Sequence, residues 1–121
     1  MRGYELMVII DSELDDAAVD AALHRIDEQI SAKGAKVASL DKWGKRRFAY
    51  EINHKHDGHY AVYEIATDGG ALGDLERQLR IADDVVRHKL IRLPDREAIR
   101  RGLVERKAPA PAGPPRGAND A

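Results

Sequence analysis

An α+β fold, with two helices on one face of a four-stranded antiparallel sheet, is what this 121-residue sequence predicts. Apolar residues recur at helical spacing in two segments and alternate in four others, and the segments follow one another as β-α-β-β-α-β. The length suits one domain with a single core.

The first strand is read at residues 4–10, YELMVII, which begin in alternation and become continuously apolar, as suits a central strand. Asp11 or Ser12 offers an N-cap for the helix that follows, and acids fill its first turn. Val19, Leu23, Ile26 and Ile30 then mark one helix face, and Gly34 is placed to end it with a positive φ. From Ala35 to Ile52 the pattern alternates, with Gly44 marking a bulge or bend. NHKHDG, residues 53–58, reads as a turn ending in Asp-Gly, and HYAVYEIA as the returning strand of a long hairpin. Leu72, Leu75 and Leu79 predict a second amphipathic helix ending near Ala82; VVRHKLIRL is the last strand, stopped by Pro94. This order is the ferredoxin-like split βαβ pattern. It places a ferredoxin-like domain at residues 1–94 and a C-terminal extension at 95–121. The extension opens with a short helical stretch and ends in APAPAGPPRGANDA, a composition with little to bury that is expected to stay unordered until bound.

The two helices would cover only one sheet face. If Leu6, Val8 and Ile10 point to the helices, Met7 and Ile9 point away. Tyr60 and Val62 join them if Tyr63 and Ile65 point inward, and Arg87, Lys89 and Ile91 share one face of the last strand. A one-residue slip at a bulge would exchange the faces. Apolar residues on an uncovered face suggest a partner surface, and Met7, Ile9, Tyr60, Val62 and Ile91 are the candidates for a protein partner.

Charge is segregated although the formal net charge is −1. Acids crowd the first helix, Lys42, Lys45, Arg46 and Arg47 form one basic cluster, and a second runs from Arg87 to Lys107. The stretch WGKRRFAYEI joins three consecutive cations to aromatic residues. Guanidinium groups fork onto phosphate oxygens, and neighbouring rings stack on unpaired bases. The competing reading is a solvated edge strand whose cations deter edge-to-edge pairing. The second basic stretch and the apolar open face favour nucleic acid.

Other chemistries find little support. The chain has no cysteine, which excludes a disulfide framework, a thiol nucleophile and thiolate metal sites, and fits a reducing compartment. His54, His56 and His59 straddle the expected turn with no acid pair placed to complete a metal site, so no metal and no cofactor is expected. Asp15/Asp16 and Asp83/Asp84 sit at helix ends, where carboxylates cap more often than they catalyse. The N-terminal apolar run is too short to span a membrane, so a soluble, cytoplasmic protein is expected.

Three motifs in order, MRGYELMVIID, WGKRRFAYEI and LRIADDVVRHKLIRL, resemble the bacterial small-subunit ribosomal protein S-six family over roughly residues 1 to 93. The resemblance implies a ferredoxin-like fold and a non-enzymatic role in the small (30S) ribosomal subunit, hence the cytoplasm. It implies a heterodimer with ribosomal protein S-eighteen that binds the central domain of 16S rRNA, and no small-molecule substrate. By position in the motifs it points to Arg2, Lys45, Arg46 and Arg47 as rRNA-binding residues, and to Arg87, His88 and Lys89 as contacts with RNA or protein. Glu51 departs from the family, many of whose members carry proline there. The tail would extend along the neighbouring protein, although its composition matches nothing transferable. The alternative is a free-standing RNA-recognition module, which shares the element order. HDGHYAVYEI lacks the basic residue before glycine and the close aromatics of that module's motif. A catalytic or ligand-binding ferredoxin-like domain would need a pocket of convergent polar groups, which no residue demands.

Overall fold

The computed structural model describes residues 2–52, 54–68, 70 and 72–104. The elements are β1 (Arg2–Asp11), α1 (Asp16–Ala32), β2 (Lys36–Ile52), β3 (Lys55–Thr67), α2 (Leu72–Ile81), β4 (Val85–Arg92) and a short α3 (Asp95–Arg100). The sheet order is β2-β3-β1-β4, with every neighbouring pair antiparallel. This is the ferredoxin-like arrangement the element order predicts, with α3 added after it.

The main core lies between the sheet and the pair α1 and α2. Leu6, Val8 and Ile10 of β1 and Tyr63 and Ile65 of β3 pack there against Leu23, Ile26 and Ile30 of α1 and Leu75 and Leu79 of α2. The inward set is the one alternation predicts. Tyr63 is fully buried, and its hydroxyl donates to the Leu23 carbonyl at 2.7 Å. Burial raises the pKa of that hydroxyl, which keeps it a donor.

Three local expectations are corrected. The α1 N-cap is Asp15, whose carboxylate accepts from the Ala18 N–H at 2.8 Å. Asp11 instead holds a turn of its own, accepting from the Glu13 N–H on its side chain and the Leu14 N–H on its carbonyl, so the helix starts later. Second, Asp57-Gly58 is not the hairpin turn. Ile52 already pairs with Lys55, His54 takes φ +63 between them, and Gly58 lies inside β3 opposite Asp11. Third, the open sheet face is not wholly uncovered. At one corner α3 lies over Gly3, where a Cβ would stand 2.6 Å from the Ala98 Cβ, and Leu93, Ala98 and Leu103 form a small second core. Arg101 donates there to Glu5 and Glu64 at 3.2 and 3.1 Å, bridging two carboxylates that face each other across β1 and β3 and easing their repulsion. Gly102, with φ +77, follows the last turn of α3. The expectation for the Ala/Pro-rich tail falls outside the described residues.

Arg25 of α1 grips Asp84, in the link between α2 and β4, with two hydrogen bonds of 2.7 and 2.8 Å. These bonds hold the Asp84 carboxyl below its ordinary value of 3.8, against the opposing effect of burial. The folded state therefore binds this proton less readily than the unfolded chain. The resulting stabilisation is complete above the ordinary value and lost as pH falls through the lowered one. Asp84→Asn is expected to be less stable than the parent near neutrality, with the gap narrowing between about pH 5 and pH 2. Urea unfolding across that range measures it; a gap independent of pH would deny the pair this role.

Candidate nucleic-acid interface

Strand pairing lays out the open face in rows. Glu5 of β1 lies between Glu64 of β3 and Ile91 of β4, and Met7 lies between Val62 and Lys89. Ile9 lies between Tyr60 and Arg87, and beyond Tyr60 is Gly44 of β2. The last row sets Arg46 of β2 against Gly58 and Asp11. The face thus grades from an acidic row, bridged by Arg101, beside α3 to a basic end at the hairpin.

Two bulges in β2 create this end. The register slips between Lys42 and Gly44, where Gly44 takes φ +85, and again between Arg47 and Ile52. Trp43, two residues on from the outward Asp41, lies on the open face with its ring parallel to Tyr60 and centroids 6.3 Å apart, and the first slip brings Gly44 and Arg46 to that face as well. The second lets the hairpin end curl back, so that Phe48 packs edge-on against Tyr60 and is 9% exposed. A groove of about 270 Å³ follows, with Met7, Ile9, Phe48 and Tyr60 in its walls and Arg87 and Lys89 at its rim.

Lys45, Arg46 and Arg47 do not act as one flat triplet. Arg46 shares the open face, and its guanidinium lies 5.3 Å from the centre of the Trp43 ring. Lys45, opposite His59, and Arg47, opposite Asp57, occupy the neighbouring pair positions, so Lys45 belongs to the helix side with Lys42. Among the described residues, Lys45, Arg46, Arg47, Arg87 and Lys89 have no acidic partner. Elsewhere Arg25, Lys33, Lys42, Lys55 and Arg101 all sit within 4 Å of one. Unpaired cations are the ones able to take phosphate without first breaking a bond.

Arg2 stands apart. It pairs with Thr67 at the far end of β1, nine residues from Asp11, or about 30 Å at ordinary strand rise. Among the apolar candidates, Ile91 is 41% exposed while Ile9 is 2% exposed, so Ile9 supports the face from beneath. Val62 is also buried. His88 turns to the helix side, where it meets Glu76 of α2 at 3.2 Å. Among the described residues no group of His, Asp and Glu is arranged to hold a metal ion. Trp43 is the residue missing from the sequence-derived candidates, although alternation from the inward Leu40 already places it outward; the bulge at Gly44 is what brings Arg46 onto the same face.

A family model described as ribosomal protein S6 matches residues 3–92. The chain belongs to the ribosomal protein S6 family. Among its relatives, the small ribosomal subunit protein bS6 of Desulforamulus reducens is 44% identical over 92 residues, which span 76% of this chain and 97% of that protein. The bS6 of Salinispora arenicola is 45% identical over 92 residues, spanning 76% and 96%. The crystal structure of 30S ribosomal protein S6 from Thermotoga maritima matches with a TM-score of 0.77 at 29% identity, covering 84% of this chain and 95% of that one. Membership makes the chain a small-subunit ribosomal protein and not an enzyme. The matched region holds every row of the open face; α3 and Arg101 lie beyond it.

Proposed function

We propose that the chain is a structural component of the small ribosomal subunit that binds the central domain of 16S rRNA together with ribosomal protein S-eighteen. The observation that carries this reading is a set of cations without acidic partners among the described residues at one end of the open face, Arg87 and Lys89 lining an apolar groove and Arg46 lying over Trp43. RNA takes that basic end through its phosphates. Met7, Tyr60 and Ile91 offer apolar area to the protein partner, with Ile9 and Val62 beneath them. Arg2, at the other end of β1, contacts a separate segment of RNA, while Lys45 and Arg47 meet backbone from the hairpin's outer side.

The test is binding of purified full-length chain to central-domain 16S rRNA, alone and with the partner protein, at several salt concentrations. Tight binding in the presence of the partner, weakening steeply as salt rises, is the expected result. Absence of any rRNA binding with the partner present, or binding indifferent to salt, overturns the reading.

A further inference from the structure

Trp43 is the chain's only tryptophan, and it is 44% exposed on the open face. Its orientation is fixed from several sides. The indole N–H donates to Asp41 at 3.0 Å, Tyr60 lies parallel to the ring, and Gly44 allows the bulge that brings Arg46 onto the same face. A ring held this way loses little freedom when something stacks on it, which is how a preorganised site gains affinity.

We infer that Trp43 is a stacking platform for an unpaired RNA base and that Arg46 takes the phosphate of the same nucleotide. This deepens the RNA-binding reading and depends on it. The Arg46 guanidinium now lies over the ring without an acidic partner. An exposed cation–π contact is weak, whereas stacking of a base on an aromatic ring and a charge-assisted bond from arginine to phosphate are each stronger. Exchanging the first for the other two is favourable. The base replaces the guanidinium on the ring, and the guanidinium swings to the phosphate. Arg87 and Lys89, across the groove, are placed to hold the backbone on either side.

The carboxylates nearest the ring each have a partner. Asp41 is engaged by the indole itself, and Glu5 and Glu64 by Arg101, with Glu64 also accepting from the Ser39 hydroxyl at 2.8 Å. These acids line a cavity beside the ring and keep net negative charge, because a neutral N–H and one guanidinium cannot cancel three carboxylates. The charge over the ring itself is that of Arg46, which has no acidic partner among the described residues, and it favours a phosphate-bearing strand over a cationic protein segment on that side.

The single tryptophan makes the test direct. Full-length chain is titrated at low salt with a single-stranded uridine-rich RNA of about twelve nucleotides, long enough to fill one single-strand site, and with a fully paired duplex of equal length. The single strand is expected to quench Trp43 fluorescence and the duplex to leave it nearly unchanged. Trp43→Ala is expected to weaken single-strand binding roughly 5- to 150-fold with an unaltered salt slope, while Trp43→Phe keeps most of the affinity. Arg46→Ala lowers the slope by about one contact's worth. Thermal melting confirms that the variants are folded.

Single-strand binding without quenching, or with Trp43→Ala unchanged, overturns the platform and leaves the RNA-binding reading standing. No binding to single-stranded RNA at low salt also overturns the platform; the general reading then stands or falls on the central-domain experiment. Fluorescence that responds to the protein partner and not to RNA assigns Trp43 to the protein interface and overturns the inference.

Discussion

Replacing Arg46, Arg87 and Lys89 together by alanine is expected to lower rRNA affinity on the order of 100-fold at about 0.1 M salt, with the fold unchanged. Each phosphate contact on single-stranded or looped RNA contributes about 0.7 to the slope of log affinity against log salt, or roughly fivefold at that salt concentration. Three contacts together lower the slope by about 2. None of the three cations has an acidic partner among the described residues, so their removal leaves no buried or paired carboxylate behind. Arg77→Ala is the matched control. It removes a cation already paired with Asp74 on α2, and affinity is expected to hold. Filter binding of the complex with partner and central-domain RNA measures both. Equal losses per charge removed in the triple variant and the control would mean that bulk charge, rather than this end of the sheet, attracts the RNA.

The contrast between paired and unpaired cations explains how a chain of net charge −1 presents a basic surface. The helical layer consumes its charges internally: Arg25 with Asp84, Lys33 with Asp74, Lys42 with Asp20. These pairs join α1 to α2, to β2 and to the link before β4. Among the described residues the open face keeps its cations without acidic partners at the hairpin end, while Arg101 bridges its acids at the other. The division appears only when residues far apart in sequence are brought together, so a count along the chain underestimates it.

Element order and the inward face of each strand were legible because they rest on periodicity. Val19, Leu23, Ile26 and Ile30 fix one side of α1, and Leu6, Val8 and Ile10 fix one side of β1; both sets are buried as their spacing requires. The C-terminal stop of α1 was legible for a different reason, since Gly34 takes φ +81, a conformation with a steep penalty for most residues. The start of the same helix was not, because Asp11, Ser12 and Asp15 are all competent caps and only the neighbouring turn decides among them. The open face was read with Met7, Arg87, Lys89 and Ile91 in the correct positions. It was misread at the hairpin end, where the slip between Arg47 and Ile52 is announced by no residue type, whereas Gly44 marked the earlier one. The seating of α3 on Gly3 was equally invisible: it depends on what approaches a glycine in space.

Gly58→Val is expected to destabilise the protein by about 2–3 kcal/mol, the upper part of the range for overpacking a well-filled site. As the second half of an Asp-Gly turn, Gly58 would owe its identity to backbone conformation. It does not have the positive φ that Gly34, Gly44, Gly70 and Gly102 have. Its constraint is space: a Cβ there would stand 2.5 Å from Ile9 Cγ2, 3.0 Å from the Ile10 carbonyl oxygen and 3.3 Å from Phe48 Cζ. Two of those neighbours are buried side chains and the third is backbone, so none can step aside cheaply. For a domain of this size the loss corresponds to a fall in Tm of roughly 10–20 °C. The same change pushes Phe48 away from Gly58 and Tyr60, opening the groove between the hairpin end and Arg87 and Lys89. RNA affinity should therefore drop even at temperatures where the variant remains folded. Gly73→Ala, in α2 with nothing within 4 Å of the added Cβ, is expected instead to be neutral or to stabilise by up to about 1 kcal/mol. If Gly58→Val melts within a few degrees of the parent, Phe48 is not seated over β3, and the groove that organises the basic end of the sheet loses its wall.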